Sequence, residues 1–216
     1  MSSTKASEVI EGPFQGAYGN WYLTRADVTD VQVYRAALGV VCVAQSACIL
    51  LAIAQAPVPS YVYDALFVLG TGAFGVALSK IHIYMKPLHT ALKFLWVAGL
   101  LGAIAILATE HALVPLVYEK PVLLLATGWQ FVALTGVFIK EAFCFGRAEA
   151  IGLTALIPVL LGGHFLGILP DSLEQGGGLV FVATFLYFCW RKFTQGVKDD
   201  VGDLSVFQYL AKNANQ

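Results

Sequence analysis

Residues 36–56 read AALGVVCVAQSACILLAIAQA, a run that contains no charged side chain. A helix needs about 20 mostly apolar residues to cross the hydrocarbon core of a bilayer, and this run has that length. It is followed by Pro57 and Pro59, which do not continue a helix. The run therefore predicts a transmembrane helix that ends at these prolines.

Further apolar runs follow along the chain, at residues 61–80, 88–109, 121–143, 150–169 and 176–191. The chain as a whole is 58% hydrophobic and only 12% charged, whereas a soluble domain is about 25% charged. A net charge of −1 also argues against a nucleic-acid partner, because binding a polyanion requires positive charge. We expect an all-α polytopic membrane helix bundle with about six transmembrane helices, in contact with the lipid bilayer.

The basic residues indicate how such a bundle is oriented. With six spans, every Lys and Arg except Lys120 falls on one side of the membrane. Short loops rich in Lys and Arg remain cytoplasmic, so both termini are expected on the cytoplasmic or stromal side. A bundle of five spans would put the two termini on opposite sides.

The segments outside the apolar runs suggest a soluble structure at each end. Thr24 or Asp27 is suited to cap a helix that continues into the first span. Leu204 and Phe207 share one face of a possible helix near the C-terminus. We expect four segments: a disordered terminus (1–12), a lid of short strands or interfacial chain (13–35), the six-helix bundle (36–193) and an amphipathic tail (194–216).

Polar residues inside a membrane span are costly and often functional. His164 lies about two-thirds along the fifth run, and Gly163 and Gly167 beside it allow a second helix to approach. Its imidazole is suited to bind a metal or pigment, to relay protons, or to bond a neighbouring helix. Asp64, in the first turn of the second run, is the other ionisable residue that a transport pathway would use.

Two further clusters lie in the turns on the cytoplasmic side. His82 and His89 flank the turn between the second and third runs, where they either bind a metal or lie at the depth of the lipid headgroups. Lys140 and Glu141 lie where the fourth run leaves the membrane. We expect Glu141 to pair with a basic residue of a neighbouring turn.

Some segments resemble a known family as strings of sequence. These segments are IHIYM at 81–85, TGVFIKEAFCF at 135–145, IPVLLGGHFLGILP at 157–170 and VGDLSVFQYL at 201–210. They resemble an uncharacterised integral-membrane family of cyanobacteria and plastids, over about residues 14–210. The resemblance implies a photosynthetic source and a thylakoid or plasma membrane, and it implies no activity.

Three functions remain open from the sequence. The first is a non-catalytic accessory or assembly factor of a membrane complex, because the chain contains no HExxH or GxSxG motif. The second is a small transporter or channel with His164 and Asp64 on its pathway. The third is a haem- or pigment-binding protein with His164 and His82 as ligands, although these two are expected at different depths.

The orientation is testable with reporter fusions. Fusions after Lys120 and Gln175 should report the non-cytoplasmic side, because the loops that carry them lack an excess of basic residues. Fusions after Lys86 and Gln216 should report the cytoplasm. A cytoplasmic signal at position 175 together with an external signal at 216 would contradict the six-span arrangement.

Overall fold

The computed structural model describes residues 9–110 and 112–213, except for the side chains of Lys212 and Asn213. The described chain begins with an antiparallel hairpin of two strands, β1 (Val9–Gly16) and β2 (Gly19–Thr24). Residues 1–8 of the predicted disordered terminus lie outside the described residues. For residues 9–12 that prediction is wrong, because the start of β1 pairs with the end of β2.

Helices make up the rest of the structure. The long ones are α1 (Arg25–Ile53), α2 (Ser60–Lys80), α3 (Lys86–Thr109), α6 (Trp129–Phe145), α7 (Ala148–Phe165) and α8 (Asp171–Thr194). The short ones are α4 (Val114–Glu119), α5 (Leu124–Thr127), α9 (Val197–Val201) and α10 (Leu204–Asn213), and a 3₁₀ turn (Pro121–Leu123) precedes α5. The all-α membrane bundle expected from the sequence is therefore confirmed.

The first helix starts earlier than the apolar run that predicts it. Thr24 and Asp27 form a capping box, in which the Asp27 amide donates to the Thr24 hydroxyl and the Thr24 amide donates to Asp27 over 2.9 Å. Helix α1 then continues unbroken for 29 residues. The predicted unit 13–35 is thus divided between the hairpin and the first turns of α1, because the cap begins the helix at Arg25.

Within the described residues, four helices are long and apolar enough to cross a membrane: α1, α2, α3 and α7. A fifth span results if the bent pair that ends in α6 is counted as one. Helix α8 has the length of a span, but charged residues at both of its ends shorten the apolar centre. The count of six therefore stays a prediction.

The fourth predicted span, 121–143, is broken rather than straight. The segment before Gly128 and helix α6 after it meet at an angle of 63°. Helix α3 lies directly against this break, where a Cβ on Gly102 would stand 2.2 Å from the carbonyl oxygen of Ala126. A bend of this kind leaves no periodic signal in an apolar run, so the sequence did not indicate it.

The long helices pack as neighbours in chain order: α1 on α2, α2 on α3, α3 on α6, α6 on α7, α7 on α8, and α8 back on α1. Phenylalanine rings from α6 and α8 fill the space between them. Phe138 meets Phe185 and Phe188 edge-on, with ring centroids 5.3 and 5.2 Å apart, and all three are fully buried. The bundle therefore has a packed aromatic interior.

The two ends of the described chain meet at one end of the bundle. Strands β1 and β2 and helices α9 and α10 form a small layer there, which we call the cap. Its own core contains Trp21 and Leu23 of the hairpin together with Val201, and Phe207 packs on Tyr84 of the α2–α3 loop. Two chain ends that lie on the same side of a membrane favour an even number of spans. Which side of the membrane the cap occupies stays a prediction.

The contact between α3 and the helix break yields a stability test. Gly102→Ala should destabilise the protein by about 1–3 kcal/mol, the cost of overpacking a well-packed interior, because the clashing atom is a backbone oxygen. Gly72→Ala is the matched control, since nothing lies within 4 Å of its Cβ position. Thermal unfolding in detergent should separate the two variants, and equal melting temperatures would contradict the close packing at the break.

Candidate functional site

The six residues singled out from the sequence divide between the two ends of the bundle. Lys140, Glu141, His82 and His89 lie at the end that carries the cap. His164 and Asp64 lie at the opposite end, with the loops that contain α4. The structure therefore does not bring the six together into one site.

Glu141 belongs to a group of buried charges that the sequence reading did not assemble. Lys192, in the last turn of α8, reaches Glu141 of α6 over 2.6 Å and also contacts Asp200 of α9. The three side chains are between 0 and 2% exposed. Glu141 therefore pairs with basic residues, but not with one from a neighbouring turn as expected: Lys192 lies within α8, and the second partner, Lys140, is the adjacent residue, 3.0 Å away.

Arg35 and Tyr34, from helix α1, complete the group. The Arg35 guanidinium donates to Asp200 from Nε over 2.7 Å and from Nη2 to the Gly196 carbonyl over 3.1 Å. The Tyr34 hydroxyl donates to Glu141 over 3.2 Å. We call Arg35, Lys140, Glu141, Lys192 and Asp200 the buried ion cluster.

The buried ion cluster contains three cations and two carboxylates, so its formal charge is +1. Aromatic rings face the excess positive charge: Lys192 lies 4.6 Å and Lys140 5.2 Å from the centre of the Phe145 ring. Rings stabilise a cation at this distance through their electron-rich faces. The cluster joins α1, α6, α8 and α9, so its geometry fastens the cap to the bundle.

Lys192, Arg35 and Asp200 are the residues that sequence reasoning missed. Flanking lysines and arginines are normally read as orientation signals, which concealed their burial. One signal was present, because Lys192 continues the face of α8 formed by Phe181, Phe185 and Phe188 at helical spacing. A basic residue on the apolar stripe of a helix indicates a buried carboxylate partner.

The two histidines of the α2–α3 turn have separate environments. His89 Nε2 lies 2.7 Å from the Leu78 carbonyl oxygen, so it donates there and holds the start of α3 to the end of α2. His82 lies in the turn itself, where burial lowers its pKa although Asp27 and Asp30 oppose that shift. Among the described residues, no three His, Cys, Asp or Glu side chains are grouped to hold a metal ion.

Asp64 has a structural task at the other end of the bundle. Its carboxylate accepts hydrogen bonds from the backbone amides of Leu113, at 3.1 Å, and Val114, at 2.8 Å. These amides open helix α4 and have no partner within it. The contact fixes α4 against the start of α2.

His164 lies nearer the end of its helix than the sequence suggests. Helix α7 ends at Phe165, and Gly167 follows in the left-handed region at φ 64°, so the predicted span to residue 169 is too long. His164 lies in the last turn, where its Nδ1 is 2.9 Å from Glu174 and its Nε2 is 3.0 Å from the carbonyl oxygen of Tyr118. The Tyr118 ring stacks on the imidazole at 4.7 Å.

The buried ion cluster predicts a strong contrast between two identical substitutions. Lys192→Met should cost about 1.5–3 kcal/mol, because it removes a buried charged hydrogen bond from both Glu141 and Asp200, which then keep only Lys140 and Arg35 as partners. Lys80→Met removes the Lys80–Asp30 pair, whose side chains are 38% and 37% exposed, and should cost at most about 1 kcal/mol. Melting temperatures and tryptic release of the cap measure both effects, and similar losses for the two variants would contradict the role of the cluster.

Comparison with known proteins gives one match. The family described as "Uncharacterized integral membrane protein (DUF2301)" matches residues 76–209. No curated protein and no solved structure matches the chain. The matched residues run from the end of α2 to α10 and include Glu141, Lys192 and Asp200. The chain therefore belongs to this uncharacterised family of integral membrane proteins.

Proposed function

We propose that the protein is a non-catalytic accessory or assembly factor of a membrane protein complex, and that the cap is its docking surface. The observation that supports this most is a pair of tyrosines. Tyr18 of the hairpin turn and Tyr209 of α10 stack with centroids 4.0 Å apart and planes 11° apart. They are 57% and 42% exposed, so two large rings are ordered against each other at an exposed surface.

The backbone beneath the tyrosines is held by several hydrogen bonds. Asp203 accepts from the Ala17 amide over 2.7 Å, and the Ser205 hydroxyl accepts from the Tyr18 amide over 3.0 Å. The Tyr84 hydroxyl in turn accepts from the Asp203 amide over 2.5 Å. These contacts order the hairpin turn before any partner binds, which reduces the entropy lost on binding.

The pKa of Asp203 supports the same reading. Burial raises this pKa, but hydrogen bonds from Ser205 and from the Ala17 amide outweigh burial and lower it below the ordinary value. A carboxylate with a lowered pKa in the folded state stabilises the fold above its unfolded pKa and loses that contribution as the pH falls through the folded pKa. The hairpin contact is therefore intact at neutral pH.

Other apolar side chains of the cap are also exposed. Ile10 is 54%, Val9 and Tyr22 are 42%, and Leu210 is 39% exposed on the same cap. Tyrosine is enriched in protein interfaces, where it combines apolar area with a hydroxyl that can form a hydrogen bond. The partner that fits is a protein with a complementary apolar surface, presented on the same side of the membrane.

The other two functions have less support. Phenylalanines fill the space that a transport pathway would need, and Asp64 is occupied by backbone amides. The two candidate haem ligands, His164 and His82, lie at opposite ends of the bundle. Both ring nitrogens of His164 already have hydrogen-bond partners.

The resemblance to a family of cyanobacteria and plastids favours a photosynthetic complex in the thylakoid or plasma membrane. In that setting the cap lies on the cytoplasmic or stromal side. The photosynthetic complex and the side of the membrane are both part of the proposal.

The docking role is testable in native membranes. A photo-crosslinking residue at position 18 should couple the protein to a protein partner, and the same residue at Tyr61, 67% exposed in the first turn of α2, is the control. The double variant Tyr18→Ser/Tyr209→Ser should weaken the complex on native gels about tenfold or more, since interface tyrosines are frequent hot spots. Crosslinks to lipid alone, or an unchanged complex, would contradict the proposal.

A further inference from the structure

Both ring nitrogens of His164 face groups that only accept hydrogen bonds. Nδ1 lies 2.9 Å from Oε1 of Glu174 in α8, and Nε2 lies 3.0 Å from the carbonyl oxygen of Tyr118 in α4. The Tyr118 hydroxyl lies 3.3 Å from the other oxygen of Glu174 and donates to it. The Glu174 carboxylate thus accepts from two donors, as an ionised carboxylate does.

A neutral imidazole has one N–H donor and one bare nitrogen, whereas an imidazolium has two donors. An unprotonated ring nitrogen about 3 Å from a carbonyl or carboxylate oxygen would place its lone pair against a lone pair of that oxygen, and the two would repel each other. We propose that His164 is a protonation-dependent clasp: the imidazolium joins α4, α7 and α8, and the neutral ring releases one of its two contacts.

The clasp acts on the last turn of a short helix whose apolar side chains, Leu116 and Val117, pack against a small cluster around Leu113. Helix α4 runs only from Val114 to Glu119 and none of its residues is fully buried. Asp64 holds its first amides, and His164 holds the carbonyl of its last turn. After loss of the Nε2 bond, the Tyr118 ring still stacks on His164 and the Tyr118 hydroxyl still contacts Glu174, but the carbonyl of the last turn no longer has His164 as a donor.

The direction of the pH dependence follows from the geometry. Protonated His164 makes both contacts and the neutral ring makes one, so α4 is fastened at low pH and loosened at high pH. The groups on the packed elements are Tyr118 and Glu119 on α4 and Asp171 and Glu174 on α8. Of these groups and His164, only the imidazole bonds to the backbone of α4, so its protonation is the change that fastens this helix.

Hydrogen exchange measured by mass spectrometry tests the clasp on the full chain in lipid nanodiscs. After correction for the intrinsic pH dependence of exchange, protection of residues 113–120 should fall about tenfold between pH 5.5 and 8.5, the effect of losing one charge-assisted hydrogen bond. Nitrogen-15 NMR of the protein labelled at its four histidines gives the titration midpoint of His164. The two transitions should coincide.

Three variants decide the outcome. His164→Gln replaces the two ring nitrogens with a single amide group, and it should leave residues 113–120 poorly protected from hydrogen exchange at every pH. Glu174→Gln keeps the imidazole but removes its ionic partner, and should reduce the pH-dependent change even if the first variant folds poorly. His82→Gln, at the opposite end of the bundle, should behave as wild type. Protection that is independent of pH in the wild type, or a pH dependence that survives His164→Gln, would overturn the proposal.

Discussion

The ammonium group of Lys192 is held out of water between two carboxylates, and much of the cap end is arranged to make this possible. An unpaired charge in such a place would cost several kcal/mol, so Glu141 of α6 and Asp200 of α9 have to be present together. Asp200 in turn requires Arg35 of α1. The cluster therefore fixes which helices are neighbours at this end and where the chain turns back after α8.

The opposite end of the bundle uses ionisable groups differently. Asp64 and His164 both bond to the backbone of a short helix, and the side chains of the His164–Glu174 pair are 19% and 16% exposed. This pair is less desolvated than the buried ion cluster. The aromatic interior between the two ends separates a firmly paired end from one that is able to respond to its surroundings.

The positions of the helices could be predicted from the sequence, because a helix that crosses a lipid bilayer needs a long apolar run. Each predicted run lies on a long helix or on the broken fourth span. Helix ends were less readable: α1 begins at a capping box eleven residues before its uncharged run, and α7 stops early at a left-handed glycine. The partners of Glu141 were not readable, since Lys192 and Asp200 are distant in sequence and only packing brings them near. The bend at Gly128 could not be predicted from the sequence for a similar reason, because it depends on how α3 packs against that part of the chain.

The cap has a consequence for biosynthesis, because it is made from the first and the last described segments of the chain. The hairpin leaves the ribosome before the long helices of the described chain, but Val201, Asp203 and Ser205, which complete its core and hold its turn, emerge after those helices. The hairpin therefore has its contacts with α1 early, but it lacks its packing partners from α9 and α10 until these have been made. A finished cap reports that the last helix is in place, so a cellular quality-control factor that recognises exposed Trp21 and Leu23 would distinguish complete from incomplete insertion.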